Sequence, residues 1–160
     1  MEEQPQTTPV EPPRGFFSAH VDDKGRLKLP VDLQQYLTAI GDEKLFVTSV
    51  DDRIARIYPI SVWKANEFLF ANAGDLAEVA EDVAYVAKVF GGDSDIDAQG
   101  RVLMPAALRR ELALESQTVY LDCYNGRINV AGKSVHDARF HRAMANLGEK
   151  VKTLDKKGLK

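Results

Sequence analysis

Residues 20–37 read HVDDKGRLKLPVDLQQYL, and residues 95–112 read DIDAQGRVLMPAALRREL. At a constant offset of 75, Asp22 meets Asp97, Gly25 meets Gly100, Arg26 meets Arg101, Pro30 meets Pro105, Leu33 meets Leu108 and Leu37 meets Leu112. After small gaps the match resumes, with Arg53-Ile54 against Arg127-Ile128 and Ser61-Val62 against Ser134-Val135. Repetition at a fixed offset decides the architecture before any single element does: the chain is two copies of one module.

Each copy translates into the same elements. A β-prone run (16–21 in the first copy) ends at a D-x-x-G-R turn. Gly25 and Gly100 supply the positive φ such a turn demands, and Asp22 and Asp97 can cap its backbone N–H groups. Short strands follow at 26–29 and 101–104, and Pro30 and Pro105 then open helices at their first turn, where the missing N–H is harmless. Those helices are expected over 31–40 and 106–114. Strand-like runs at 44–50 and 118–124 turn at Asp51-Asp52 and Asn125-Gly126 into 53–58 and 127–131; Asn-Gly is a strong hairpin signal. Ser61 is expected to cap a helix over 62–71. Asp75 and Glu78 form a capping-box-like start for 76–90, with Leu76, Val79, Val83, Val86 and Phe90 on one face. A third helix starts near Ser134 and ends at Gly148. One module is thus hairpin, short helix, hairpin, helix, and the fold class is α+β, a mainly β core with flanking helices. Alone, a module of this size has too many edges and too little core. Two copies would close each other's sheets around a pseudo-two-fold axis, with the two turns side by side.

Composition bounds the function. One cysteine, Cys123, excludes an internal disulfide framework, and three scattered histidines argue against a metal site. No run is long and apolar enough to span a membrane and no basic-then-apolar leader is present, so a cytoplasmic location is expected. There is no G-x-S-x-G, Walker loop or G-x-G-x-x-G, which argues against an enzyme, a cofactor or a small-molecule substrate.

The net charge of −3 speaks against a nucleic-acid partner only until the charges are sorted. Residues 1–13 hold Glu2, Glu3 and Glu11, no base, and four prolines, the composition of a disordered arm. Residues 75–97 set seven acidic groups against Lys88 alone. Residues 139–160 carry seven basic groups against Glu149 and Asp155, so 149–160 reads as a basic flexible tail. Around the first turn, Arg14, Lys24, Arg26 and Lys28 form a basic strip. An arginine beside an exposed turn can reach phosphate or guanine N7 and O6 with its planar fork, and the aspartate four residues earlier can hold it in position. The competing reading of each Asp–Arg pair is a salt bridge that only fixes the turn, and for Lys28 an edge-strand charge that deters aggregation. Tyr58 and Trp63 read as packing residues, Cys123 as a small buried apolar one.

The order and spacing of Arg14-Gly15, Asp22-Asp23-Lys24-Gly25-Arg26-Leu27, Leu29-Pro30, Ile57-Tyr58-Pro59 with Trp63, Asp97-Ala98-Gln99-Gly100-Arg101, Met104-Pro105 and Leu108-Arg109 resemble the MraZ family of bacterial transcriptional regulators, along roughly residues 14–138. The resemblance implies two tandem SpoVT/AbrB-like modules forming a pseudo-two-fold barrel. The modules would span 14–71 and 93–148, each with its closing helix, joined by an inter-repeat helix over 72–92. It further implies DNA contact through Arg26 and Arg101; the basic strip of Arg14, Lys24 and Lys28, and Arg109 in the second copy, are expected to add contacts, with Asp22, Gly25, Asp97 and Gly100 shaping the turns. The expected partners are double-stranded DNA bearing promoter repeats, in a division and cell-wall gene cluster, and further copies of the chain in a ring. The expected location is nucleoid-associated. The chain departs from the family's usual pattern in its proline-rich extension and in Asp32, Gln34 and Gln35, where basic residues are common. The overall acidity and these residues motivate the alternative, a protein-interaction module that kept the fold and lost DNA recognition.

Overall fold

The first strand, β1 (Phe17–His20), does not pair with the strand that follows its turn. In the computed structural model, which describes residues 9–160 apart from Glu43 and Asp52, β1 lies antiparallel to β7 (Thr118–Tyr124) of the other copy, with Phe17 opposite Leu121. The second copy reciprocates: β5 (Gly92–Ser94) lies on β3 (Leu45–Thr48) of the first. The hairpins β3–β4 (Ala55–Pro59) and β7–β8 (Arg127–Gly132) form as expected, and β4 pairs with β8 at the centre. The six-stranded order is β1-β7-β8-β4-β3-β5, and exchanging each strand for its counterpart in the other copy leaves it unchanged. The two remaining strands, β2 (Arg26–Lys28) and β6 (Arg101–Leu103), pair only with each other.

Two expectations are corrected here. The hairpin across each D-x-x-G-R turn is reduced to single bridges, Val21 to Leu27 and Ile96 to Val102. The backbone groups of β1 and β5 are satisfied instead along β7 and β3. The sheet is also open, ending on β1 and β5, and no closed barrel is present among the described residues. The β2–β6 ribbon packs over the sheet without hydrogen-bonding to its edges in ladder fashion.

Alternation along the strands sorts two faces. One carries Val47, Ile57, Leu121, Ile128 and Val130, covered by Leu27 and Val102 from the ribbon, Leu33 from α1 (Val31–Ile40) and Leu108 from α4 (Ala106–Leu112). Leu33 and Leu108 are fully buried, and trimming either to alanine costs about 2–5 kcal/mol. The opposite face presents Phe46 and Tyr58 to α2 (Ile60–Ala71) and α3 (Ala77–Phe90), where Trp63 stacks on Phe46 at 4.4 Å. Tyr58 and Trp63 are packing residues, as expected.

The helices differ from expectation in instructive ways. Ser61 does not cap α2. Its backbone N–H and hydroxyl both donate to Asp42 Oδ2, at 3.0 and 2.7 Å, so a carboxylate 19 residues away does the work. Leu76, just before α3, and Val79 on it are exposed, and Ala80 and Ala87 are buried. The small face wins because the helix backbone sits against the sheet: the buried Thr48 hydroxyl donates to the Ala87 carbonyl at 2.8 Å. Pro30 and Pro105 sit one residue before their helices, with extended ψ, and α4 stops at Leu112 because Ala113 turns left-handed (φ 52°). The third helix breaks at Asn146 (φ 54°) into α5 (Lys133–Met144) and α6 (Leu147–Asp155), so the segment read as a basic tail is helical as far as Asp155. Of the proline-rich arm, residues 1–8 lie outside the described residues, and 9–14 have no regular secondary structure. No helix among the described residues is long and apolar enough to cross a membrane.

Candidate nucleic-acid interface

One carboxylate builds each turn. Asp22 Oδ1 accepts the backbone N–H groups of Lys24 at 3.0 Å and Arg26 at 2.9 Å, and its Oδ2 accepts Arg26 Nε at 2.7 Å. Asp97 repeats this with Gln99, Arg101 and Arg101 Nε at 2.9, 2.9 and 2.8 Å. Gly25 and Gly100 take φ of 79° and 77°, the left-handed region that favours glycine. The Arg26 backbone N–H, then its guanidinium and the Lys24 N–H, hold the Asp22 carboxyl down at about 2, against some desolvation. Asp97 is lowered in the same way, led by the Arg101 N–H. Capping and ion pairing are therefore one device. The aspartate engages Nε, and no hydrogen bond to it from the terminal nitrogens of either guanidinium is present among the described residues.

The ribbon sets the two arginines on one face. Arg26 is opposite Leu103, Leu27 opposite Val102, and Lys28 opposite Arg101. Leu27 and Val102 are buried, so Arg26, Lys28, Arg101 and Leu103 share the outward face. Antiparallel pairing puts the turns at the two ends of the ribbon rather than side by side, with Arg26 and Arg101 on a diagonal of about 7–8 Å between Cα atoms. Their side chains keep 34% and 26% of their accessible surface, enough to present a fork without freeing the Nε.

A protein from Acidobacterium capsulatum named transcriptional regulator MraZ is 33% identical over 106 residues, which cover 66% of this chain and 73% of that one. The chain belongs to the MraZ family. Transcriptional regulators MraZ from Koribacter versatilis, 29% identical over 68% of this chain and 74% of that one, and from Solidesulfovibrio magneticus, 24% identical over 91% and 96%, are also similar to it. No family model matches the chain.

In this member of the MraZ family the expected contact residues divide. Lys24 is exposed beside the first turn, and Lys28 stands on the ribbon, its Nζ donating to the Gln99 carbonyl across the copies. Arg109 stands behind the first turn. It lies over Gly25, its guanidinium donates to the Lys24 carbonyl, and its Nε is 3.6 Å from Glu115 Oε1. Its counterpart in the repeat, Gln34, lies over Gly100 in the same manner and donates to the Leu29 carbonyl at 2.6 Å. Each short helix thus props the other copy's turn. Arg14 is not brought to the ribbon; it precedes β1, at the end of that strand remote from the turn, and is 3.6 Å from Glu11.

The structure also gathers polar residues that sequence reasoning passed over. Asp122, Asn129 and Arg56 face one another in a row across β7, β8 and β4. Arg127 Nε donates to Asn129 Oδ1 at 3.0 Å, and burial pushes the Asp122 carboxyl up. The one available signal was Arg56 itself, a charge standing where a strand among Ala55, Ile57 and Tyr58 should be covered. Cys123 is half-buried, its thiol pushed up to about 11 by that burial and by Asp122, which makes it an inert packing residue.

Proposed function

We propose that the chain is a sequence-specific DNA-binding transcriptional regulator that inserts the β2–β6 ribbon into the major groove. The observation that carries this is the ribbon's outward face, where Arg26, Lys28 and Arg101 stand together and aspartates hold both arginines by Nε alone. A two-stranded ribbon fits a groove about 12 Å wide, and an arginine fork matches guanine O6 and N7. Lys24 adds phosphate contact at the first turn. Arg109 supports the geometry from behind. As in the resemblance above, the modules at 14–71 and 93–148 form a doubled SpoVT/AbrB-like unit. Protomers assemble in a ring that presents several ribbons to direct repeats in the promoter of a division and cell-wall gene cluster, and the protein is nucleoid-associated in the cytoplasm. Linked contacts of this kind gain avidity without new chemistry.

Gel shifts with a promoter fragment carrying direct repeats test the proposal. Binding should weaken steeply with salt, and Arg26→Ala should reduce it strongly. Unchanged binding by that variant removes Arg26 from the interface. No shift on any promoter fragment at about 50 mM salt, together with co-purification of a protein partner, establishes the interaction-module alternative instead.

A further inference from the structure

On the sheet face opposite the ribbon, a cavity of about 320 Å³ opens between the central strands and α2 and α3. Arg56 from β4 and Arg127 from β8 line it, with Asn66 from α2 between polar and apolar sides, and Val62, Trp63 and Val83 forming an apolar wall. Arg56 has no carboxylate partner among the described residues. One terminal nitrogen donates to the Tyr58 hydroxyl at 3.1 Å, and its buried Nε has no hydrogen-bond partner among the described residues. A buried guanidinium nitrogen without an acceptor is costly and rare in a folded protein.

Arg127 lies near enough for the two cations to oppose each other. Burial first, and then Arg56, lowers the Arg127 pKa, with Tyr58, Tyr124 and Asp122 acting the other way. Asp122 lies on this face, but Asn129 stands between it and Arg56 in the cross-strand row, and Asp93, opposite Phe46 on β3, is 4.0 Å from Lys44 Nζ. The face that the helices bring to the cavity supplies no acid: Asn66, Val62, Trp63 and Val83 are neutral. Two like charges held together, half-buried and under-neutralised, are what a site for a small anion requires. The volume is at the lower end of small-molecule sites.

The geometry points to this cavity as a binding site for a small organic anion, its carboxylate or phosphoryl head on Arg56 and Arg127 and its short apolar body against Val62, Val83 and the edge of Trp63. The head would satisfy the Arg56 donors that the protein leaves open. The body must be small, because Trp63 already stacks on Phe46 with one face and meets Tyr58 at 5.0 Å.

Trp63 is the sole tryptophan, so its emission reads this cavity directly in the full-length protein. Phenyl phosphate, benzoate and inorganic phosphate are the probes. Saturable change in Trp63 emission with phenyl phosphate or benzoate is expected, accompanied by a rise in melting temperature; which of the two binds tighter assigns the head group. Arg56→Gln and Arg127→Gln should each weaken that binding about tenfold or more, since each removes charge-assisted hydrogen bonds, while circular dichroism shows the fold retained. No saturable change with either organic probe overturns the inference, as does equal affinity in folded Arg56→Gln. Inorganic phosphate binding as tightly as phenyl phosphate removes the apolar wall from the site and overturns the ligand class.

Discussion

The two turns share a backbone and an Asp–Arg clamp but not a surface. Around Arg26 stand Lys24 and Lys28; at the matching positions around Arg101 stand Gln99 and Leu103. Beneath the turns the asymmetry runs the same way, with Arg109 propping the first and Gln34 the second. The residues that form the turns themselves, Asp22, Gly25 and Arg26 against Asp97, Gly100 and Arg101, are identical in the two copies, while the outward positions and the props beneath have diverged. The first turn is thus the more basic at its surface, and Leu103, 53% exposed, is an apolar side chain amid the ribbon's charges. An exposed leucine there suits contact with a thymine methyl group, whereas a lysine suits phosphate. The ribbon is read as one two-fold frame with unlike ends.

The sharpest way to break the comparison is to remove both clamped arginines. Arg26→Ala with Arg101→Ala should abolish the gel shift. Each single variant should weaken binding about tenfold to a hundredfold, from the ~1–3 kcal/mol of one bidentate base contact. If Arg101→Ala alone binds as the unmodified protein does, the second copy is scaffold and only the first reads DNA.

Next come the turn glycines. Gly25→Ala and Gly100→Ala each force a side chain into left-handed backbone, at about 1–2 kcal/mol, and each new Cβ also displaces a prop. Arg109 must leave in the first case and Gln34 in the second. Thermal melts should show both variants destabilised. Gly25→Ala should lose more, because it detaches Arg109 from the Lys24 carbonyl as well as from its place over the turn.

Exchanging the outward residues should move affinity without moving stability. Lys28→Leu should lower the slope of log binding constant against log salt by roughly 0.9, the value of one phosphate neutralised. Leu103→Lys should raise the slope by the same amount and blunt discrimination at the base pair beneath it. Identical slopes in both variants would show that neither position meets phosphate.

The smallest effect concerns pH. The Asp22 carboxyl is lowered from 3.8 to about 2 in the folded protein, and Asp97 is lowered too. A depressed carboxylate stabilises the fold above its unfolded value and loses that contribution as pH falls through its folded one. Stability from the clamps should therefore be intact above about pH 4 and decline toward pH 2, and Asp22→Asn should flatten that part of the acid-unfolding curve.

Much of the site was legible because local chemistry decided it. A D-x-x-G-R turn must cap itself with its aspartate and must place glycine at positive φ, whatever surrounds it. The Asn125-Gly126 hairpin, with φ of 49° and 79°, formed for the same reason. What failed to be legible depended on partners far along the chain. Asp42 displaced Ser61 as the anchor of α2, small residues rather than Val79 fill the buried face of α3, and Arg109 lies over the other copy's turn. Nothing near Arg56 announces that Arg127 will lie diagonally across the central strand pair from it, beyond its partner Asn129.

The sequence by itself therefore determined that there are two modules, where their turns lie, and which two arginines those turns hold. These follow from backbone torsions and hydrogen bonds within five residues. Only the tertiary structure decided which strand lies beside which, because short strands of either copy carry similar β-propensity and their partners lie far along the chain. That exchange of strands puts Arg26 and Arg101 on one ribbon face and Arg56 beside Arg127 on the far side of the sheet.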